Sequence, residues 1–254
     1  MQVNKTVTEI IKPESEAVEI TAACAEDSAA RTRLLFGAEA LVQLDQSRVL
    51  IAGLGGVGGA VLEALARAGI GHLSIIDSDS FVPSNLNRQI LSTTKTIGRP
   101  KVEAARERLK LINPALELEA RELRLSPENI RPILAEKEYD LVIDCIDDLR
   151  AKAALVKTAL DLGIEVLVAG GAGNRIRPEG LRVDYLENAF NDPLLKVLRR
   201  NLKDYPREKI RTVFSPHPPI KTKSRTIASS PYLPNILGFT LAGLAIEVIL
   251  GLID

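Results

Sequence analysis

The sequence GLGGVGG, which begins at Gly53, contains the residues most suited to binding a nucleotide. Gly53, Gly55 and Gly58 have the spacing G-x-G-x-x-G, and Gly56 lies between them. Glycines permit a tight turn in which backbone N–H groups approach phosphate oxygens at the N-terminus of a helix. Asp77 ends the next apolar segment, HLSIID, where a carboxylate can accept hydrogen bonds from ribose hydroxyls. The alternative is a strand-to-helix turn that binds nothing.

The segment SNLNRQILSTTKTIGRPK adds cations that a simple dinucleotide site does not need. Arg88 can bind phosphate oxygens through its planar guanidinium. Lys101, in the first turn of the helix that follows, adds a point charge beside a positive helix end. Asn85 can donate to a phosphate or ribose oxygen. Together these residues favour triphosphate chemistry, although Arg88 could form a surface ion pair and Lys101 could be a solvated helix residue.

Acidic residues follow a later apolar segment, in the sequence IDCIDD. Either Asp144 or Asp147 could hold Mg²⁺, which prefers one or two carboxylates together with phosphates and water. Asp144 could instead cap a helix, and Asp148 is better suited to a cap than to a metal. Asp79, two residues after Asp77, is also predicted to bind the cofactor.

The glycine pattern alone does not distinguish ATP from NAD. An NAD-dependent oxidoreductase would need a proton donor, and His217 is the one candidate beyond the glycine turn. A nucleotide-sensing module without turnover is a further alternative.

Short apolar segments alternate with segments of helical periodicity, which predicts an α/β fold. The predicted fold class is a Rossmann-like, doubly wound and mainly parallel sheet with a C-terminal mixed extension. In such a sheet, ligands bind at the carboxyl ends of the strands. The predicted strands are RVLIAG, HLSIID, LELEA, YDLVIDCID, EVLVAGGAG and LRVDYLE.

The expected domain organisation is a polar N-terminal tail, residues 1–30, followed by one ATP-binding domain, residues 31–254. That domain divides into a nucleotide-binding core, residues 47–173, and a substrate or dimer extension, residues 174–254. Within the extension, residues 205–234 are rich in proline and are predicted to be loop-rich. The apolar stretch 237–253 is predicted to be a buried core or dimer helix, with a peripheral membrane contact as the weaker alternative.

Composition gives no support for a DNA partner or for a metal site built from cysteines or histidines. The 254 residues carry a formal net charge of zero, which gives no argument for a DNA partner. Cys24 and Cys145 are not in a C-x-x-C pair, and two histidines are too few for a histidine-based metal site. The N-terminus has no signal-peptide pattern, so a cytoplasmic protein is expected.

The stretch from RVLIAGLGGVGG through SNLNRQ to YDLVIDCIDD resembles the ThiF and ubiquitin-activating-enzyme-like superfamily, which includes adenylyltransferases of thiamine and molybdopterin synthesis. The resemblance implies that Asp77 binds the ATP ribose and that Asn85, Arg88 and Lys101 hold the phosphates. It implies that Asp147 binds Mg²⁺. Arg31 is similar to an arginine that reaches into the partner subunit's site, which implies a homodimer.

The later sequence, VAGGAGNRIRPEGLRVDYLENAF and TVFSPHPP, resembles the tRNA threonylcarbamoyladenosine dehydratases within that superfamily. This resemblance implies ATP-dependent activation of the threonyl carboxylate of the modified adenosine, followed by ring closure. Carrier-activating members usually have two C-x-x-C pairs or a later cysteine, and this chain has neither. Activation of a sulfur-carrier protein's C-terminal glycine stays open as the alternative, with that carrier or a sulfur donor as a possible partner.

Residues 196–225 form a basic segment with ten Lys and Arg residues against two acidic residues. Such a segment suits an RNA backbone, and a solvated helix face is the alternative from charge alone. With the resemblance, the segment predicts tRNA as the partner. Its cations are Lys196, Arg199, Arg200, Lys203, Arg207, Lys209, Arg211, Lys221, Lys223 and Arg225.

Overall fold

The computed structural model describes residues 29–224 and 226–253, so most of the predicted tail lies outside the described residues. Within these ranges the chain forms a seven-stranded sheet with the order β3-β2-β1-β4-β5-β7-β6. All neighbouring strands are parallel except β6 and β7, which confirms the predicted fold class. The strands are β1 (Arg48–Ala52), β2 (His72–Asp77), β3 (Glu117–Glu122), β4 (Leu141–Asp144), β5 (Glu165–Ala169), β6 (Arg182–Tyr185) and β7 (Arg211–Phe214).

Helices cover both faces of the sheet, as a parallel sheet requires. Successive residues of β1 alternate between the two cores: Val49 and Ile51 pack into one, and Leu50 and Ala52 into the other. The helices are α1 (Ala30–Phe36), α2 (Ala38–Gln46), α3 (Gly56–Ala68), α4 (Lys101–Ile112), α5 (Pro127–Ala135), α6 (Leu149–Asp161), α7 (Pro193–Asn201) and α8 (Leu233–Ile249). Helices α3, α4 and α8 contribute to the first core, and α5, α6 and α7 to the second.

The sheet order changes direction between β1 and β4. Strands β2 and β3 lie on one side of β1, and β4 lies on the other, so the crossover connections from β1 and from β3 leave in opposite directions. A crevice opens at such a point, outside the carboxyl ends of the strands. The glycine turn after β1 and the acidic residues after β4 therefore meet there.

The loop-rich segment 205–234 contains a strand, β7, that the sequence does not predict. Arg211–Phe214 is a strand inserted between β5, to which it is parallel, and β6, to which it is antiparallel. A four-residue strand carries almost no periodic signal, and the prolines on either side favour a loop locally. Burial of Thr212, Val213 and Phe214 between neighbours that are distant in sequence decides the conformation.

The C-terminal helix α8 packs along α3, which agrees with the predicted core role. Leu237, Leu241 and Ala245 are buried in the core that α3 shares. The two helices approach closely at Gly238, where an added Cβ would lie 2.4 Å from the carbonyl oxygen of Val57. No helix within the described residues is long and apolar enough to cross a membrane.

We predict that replacing Gly238 by alanine destabilises the fold, because a methyl group there would also lie 2.8 Å from Cβ of Ala60. Overpacking of this kind costs about 1–3 kcal/mol. Gly243 on the same helix is the matched control, since an added Cβ there meets nothing within 4 Å. Urea denaturation should show a lower free energy of unfolding for G238A and an equal or higher one for G243A. Equal losses in both variants would contradict the close packing of α3 and α8.

Candidate active site

A cleft of about 1280 Å³ lies at the carboxyl ends of the central strands. It brings together most of the residues that the sequence predicts for the site, although they come from four separate segments. Gly58 and Arg31 do not line it. The predicted residues in its wall are Gly53, Gly55, Gly56, Asp77, Asp79, Asn85, Arg88, Lys101 and Asp147.

The glycine turn connects β1 directly to α3. Gly53 has a φ of 89°, a left-handed conformation that suits glycine. An added Cβ at Gly58 would lie only 1.8 Å from the carbonyl oxygen of Gly53, so Gly58 serves the helix–strand contact. Gly55 precedes α3, and no side chain caps the helix there. The first N–H groups of a helix lack intrahelical partners, so this helix end can bind an anion in the cleft.

Asp77 ties the glycine turn to the end of β2. Its carboxylate accepts hydrogen bonds from the backbone N–H groups of Leu54, at 2.6 Å, and Asp79, at 2.8 Å. The carboxylate is thus fixed beside the first turn of α3. Its remaining lone pairs can accept hydrogen bonds from ribose hydroxyls.

The ammonium group of Lys101 is buried at the edge of the cleft. Its Nζ lies 2.7 Å from Oδ2 of Asp79 and 3.4 Å from the carboxylate of Asp77. The Lys101 side chain is 6% exposed, whereas that of Asp79 is 66% exposed. A buried ammonium needs anionic partners, and an anion in the cleft can share it with Asp77 and Asp79.

Asn85 and Arg88 lie on the turn that follows β2. Asn85 is buried, and its Oδ1 accepts a hydrogen bond from the N–H of Val82, so its Nδ2 is the group that can donate. Arg88 is half-buried and donates through one terminal nitrogen to the carbonyl oxygen of Ser84 and to Oδ1 of Asn87. Its other N–H groups remain for a ligand.

The three acidic residues at and after the end of β4 have different roles. Asp144 is fully buried and pairs with Lys152 at 3.0 Å, so the interpretation of Asp144 as a metal ligand or helix cap is wrong. Asp148 caps α6 by accepting from the N–H groups of Arg150 and Ala151, and the hydrogen bond from Ala151 lowers its pKa most. Asp147 is exposed at the cleft and makes no hydrogen bond to any described residue.

Cys145 follows β4 and lies between the glycine turn and the acidic residues. Burial raises the pKa of its thiol to about 12. Because the thiolate is the nucleophilic form, the side chain is unreactive at neutral pH. The side chain is partly buried against the first core and also lines the cleft.

The wall of the cleft beyond β5 contains two buried residues that sequence reasoning missed. Asp192 caps α7 and also accepts from the N–H of Gly171 at 2.8 Å. Arg175 donates to the carbonyl oxygens of Gly171 and Asn191, and burial lowers its pKa. The two residues fix this wall against α7. The sequence gives little sign of them beyond the glycines after β5, because their partners are distant along the chain.

A loop formed by residues 218–224 and 226–232, here called the 218–232 loop, runs over this wall. Asn174, with a φ of 56°, accepts from the N–H groups of Ile220 and Ala228 through its carbonyl and side-chain oxygens. Asn87 donates to the carbonyl oxygen of Ser229 and so joins the same loop to the turn that carries Arg88. The 218–232 loop therefore contacts both sides of the cleft.

The cations of the basic segment are not equivalent. Arg199 donates to carbonyl oxygens, Arg207 pairs with a glutamate, and Arg211 pairs with Glu165 at 2.8 Å. The exposed cations are Lys196, Arg200, Lys203, Lys209, Lys221 and Lys223. Arg225 lies outside the described residues. Lys196 lies beside Val197, which lines the cleft.

Within residues 29–224 and 226–253, no group of three or more His, Cys, Asp or Glu side chains could hold a metal ion by themselves. His217 does not line the cleft, and its Nε2 lies 3.2 Å from the carbonyl oxygen of Glu179.

Comparison with known proteins identifies the family and the relatives that this chain resembles. Residues 29–183 match the ThiF family. The tRNA threonylcarbamoyladenosine dehydratase of Haemophilus influenzae is 40% identical over 192 residues, covering 72% of this chain and 73% of that protein. The enzyme of the same name from Bacillus subtilis is 33% identical over 191 residues, covering 75% of each.

Solved structures show the same likeness. The Escherichia coli tRNA N6-threonylcarbamoyladenosine dehydratase TcdA, solved in complex with ATP, superposes with a TM-score of 0.84 at 30% identity. The match covers 92% of this chain and 98% of that one. The same enzyme has also been solved in complex with AMP, with a TM-score of 0.82. Because the family match spans more than half of its residues, this chain belongs to the ThiF family.

Proposed function

We propose that this chain is an ATP-dependent tRNA threonylcarbamoyladenosine dehydratase. ATP activates the threonyl carboxylate of the modified adenosine, and a nucleophilic atom of the same modification then attacks the activated carbonyl carbon. One carboxylate oxygen leaves with the activating group, and a ring forms. The observation that carries the proposal is that the buried Lys101 ammonium and the uncapped N-terminus of α3 line the same cleft. The names of the relatives support this choice of substrate.

The cationic groups of the cleft hold the phosphates and stabilise charge that develops on them. Lys101 exchanges part of its pairing with the exposed Asp79 for phosphate oxygens, whereas Asp77 stays fixed by backbone hydrogen bonds. Arg88 supplies free N–H groups of its guanidinium, and Asn85 supplies its Nδ2. Positioned donors of this kind lower a barrier because they need no rearrangement during the reaction.

The residues present also fit Mg²⁺. Asp147 offers a hard carboxylate ligand that faces the cleft without a hydrogen-bond partner among the described residues. One carboxylate together with phosphates and water is a common ligand set for this ion. When bound, the ion neutralises phosphate charge. Asp147 would hold it, and Asp144 would not, because Asp144 is buried against Lys152.

The other candidate activities receive less support from the site. Cys145 is unreactive at neutral pH, and the rest of the described chain offers no cysteine for a thioester. Activation of a sulfur-carrier protein's C-terminal glycine would therefore have to end at the activated carboxylate, without a thioester to Cys145. His217, the proton donor proposed for an NAD-dependent oxidoreductase, does not line the cleft.

We further propose that tRNA lies along the exposed cations of α7 and the 218–232 loop. Both elements lie beside the cleft, and Lys196, Arg200, Lys221 and Lys223 are exposed there. Contacts between such cations and phosphates supply most of the affinity that does not depend on base sequence. Arg199, Arg207 and Arg211 serve the fold instead.

A homodimer in which Arg31 reaches the partner subunit's cleft is also proposed. Arg31 is exposed on α1 and does not line the cleft of its own chain. Leu34 and Leu35 on the same helix are 67% and 60% exposed, which is unusual for adjacent leucines on a short helix. A second copy of the chain would cover them.

The first test of the proposal is product formation. The protein, ATP, Mg²⁺ and tRNA bearing threonylcarbamoyladenosine should yield a modified base lighter by one water molecule in mass spectrometry. The same assay with Cys145 replaced by serine should also give product. Consumption of ATP without this product would indicate a different carboxylate substrate, and dependence of ATP consumption on a carrier protein would indicate the adenylyltransferase alternative.

In the same assay, K101A should lose roughly 10²–10³-fold in kcat/KM, the usual effect of removing one charge-stabilising donor. D147A should lose a similar amount at a fixed Mg²⁺ concentration. Lys110 is the matched control, because it lies on the same helix and is exposed away from these contacts. Wild-type turnover by K101A would show that its assigned role is wrong.

Charge reversal of Lys196 and Arg200 should weaken tRNA binding and reduce its dependence on salt. Each lost phosphate contact lowers the slope of log K against log salt by about 0.7–0.9. Fluorescence anisotropy at several salt concentrations measures the slope, with K110E as the control for net charge. An unchanged slope in the double variant would place the RNA on another surface.

Light scattering of the wild-type protein should give the mass of a dimer, and R31A should form the same dimer with reduced turnover. A fully active monomer would contradict the partner-subunit role of Arg31.

A further inference from the structure

A buried ion pair lies directly behind the turn that carries Asp147. Asp144 is the last residue of β4, Lys152 lies on α6, and both side chains are 0% exposed. The Nζ of Lys152 lies 3.0 Å from Oδ2 of Asp144. We infer that this pair is a positioning device that fixes the Asp147 carboxylate toward the cleft. The inference rests on the proposed role of Asp147 as the ligand of an ATP-bound Mg²⁺ ion.

The pair holds both polar backbone groups of Ile146, the residue that precedes Asp147. Asp144 Oδ1 accepts a hydrogen bond from the N–H of Ile146 at 3.0 Å. The Nζ of Lys152 donates to the carbonyl oxygen of Ile146 at 3.1 Å. Peptide groups on both sides of Ile146 are therefore fixed by the same two side chains.

The turn is also fixed on its other side, at Asp148, the residue that follows Asp147. The carbonyl oxygen of Asp148 accepts from the N–H of Lys152 at 2.8 Å, and the Asp148 side chain caps α6. Asp147 is thus held between two anchored residues, and its own carboxylate remains free of partners among the described residues. Its direction follows from the backbone rather than from a side-chain contact.

The same backbone supports the glycine turn. The N–H of Cys145 donates to the carbonyl oxygen of Ala52 at 2.9 Å. Gly53 packs so closely that an added Cβ would lie 2.9 Å from the carbonyl oxygen of Cys145 and 3.3 Å from the nitrogen of Ile146. The ion pair therefore sets the position of the Asp147 carboxylate relative to the phosphate-binding turn.

Stability alone does not account for a fully buried ion pair. The cost of removing two charges from water often exceeds their attraction, and well-packed apolar residues of similar size are frequently as stable. Apolar residues could not satisfy the N–H and carbonyl groups of Ile146, which would lose these partners or reorient. The contacts of this pair thus identify a geometric role for it.

The test compares ATP affinity with and without Mg²⁺ by calorimetry, so the readout does not depend on turnover. The gain in ATP affinity on adding Mg²⁺ should be about 10- to 100-fold smaller for K152M than for the wild type. This is the usual effect of removing a residue that orients a metal ligand. Its affinity for ATP without Mg²⁺ should equal that of the wild type. K152R, which keeps the charge and the donor, should retain most of the gain.

Two further variants separate positioning from folding. D144L/K152M removes both charges together and so leaves no unpaired buried charge. This variant should fold, and it should still lose the gain in ATP affinity from Mg²⁺. E63Q is the control, because Glu63 is a buried acid paired with Arg67 and Arg108 outside the cleft, and it should keep the gain. If E63Q also lost the gain in ATP affinity from Mg²⁺, general destabilisation would explain the result, and the inference would be overturned.

D147A distinguishes this inference from the proposed function. If D147A and K152M each remove the gain and the double variant removes no more, the two residues act as one unit, as inferred. If D147A removes the gain but folded K152M or D144L/K152M keeps it, the positioning role is wrong and the proposed function stands. If D147A keeps the gain, the proposed role of Asp147 itself is wrong.

Discussion

The carbonyl oxygen of Gly53 lies where a side chain on Gly58 would have to be, and the site depends on this close approach. It allows α3 to begin immediately after β1, so that its uncapped N-terminus faces the cleft. Gly53 in turn packs on the backbone of Cys145 and Ile146, which brings the end of β4 against the same turn. The helix end and the acidic residues that follow β4 therefore share one rigid floor.

Charge in the cleft is arranged around that floor. The buried Lys101 lies between Asp77, which is fixed by backbone hydrogen bonds, and the exposed Asp79. On the other side, Lys152 neutralises Asp144 and leaves Asp147 as the carboxylate that faces the cleft. Each side thus contains one carboxylate that maintains the structure and one that is available to a ligand or its metal ion. An anionic nucleotide with a bound cation complements this pattern.

Much of this could be predicted from the sequence, because short apolar segments report buried parallel strands and the ends of such strands converge. Gly53, Asp77 and Lys101 line the cleft at this end of the sheet, and their binding roles stay predictions. The residue pattern alone did not separate Asp144 from Asp147, and only the family resemblance singled out Asp147, since burial of Asp144 depends on Lys152, a partner on the next helix. Strand β7 and the buried pair of Arg175 and Asp192 were missed because their partners are distant along the chain.

The central claim is that this cleft binds a triphosphate through the α3 N-terminus and Lys101. A crystal structure of the protein grown with ATP and Mg²⁺ tests it most directly. The account predicts phosphate oxygens at the backbone N–H groups of Gly55 and Gly56, with the Nζ of Lys101 bonded to one of them and the metal ion on the Asp147 carboxylate. A cleft that stays empty at saturating ATP, or that binds a nicotinamide dinucleotide in preference to ATP, would contradict it.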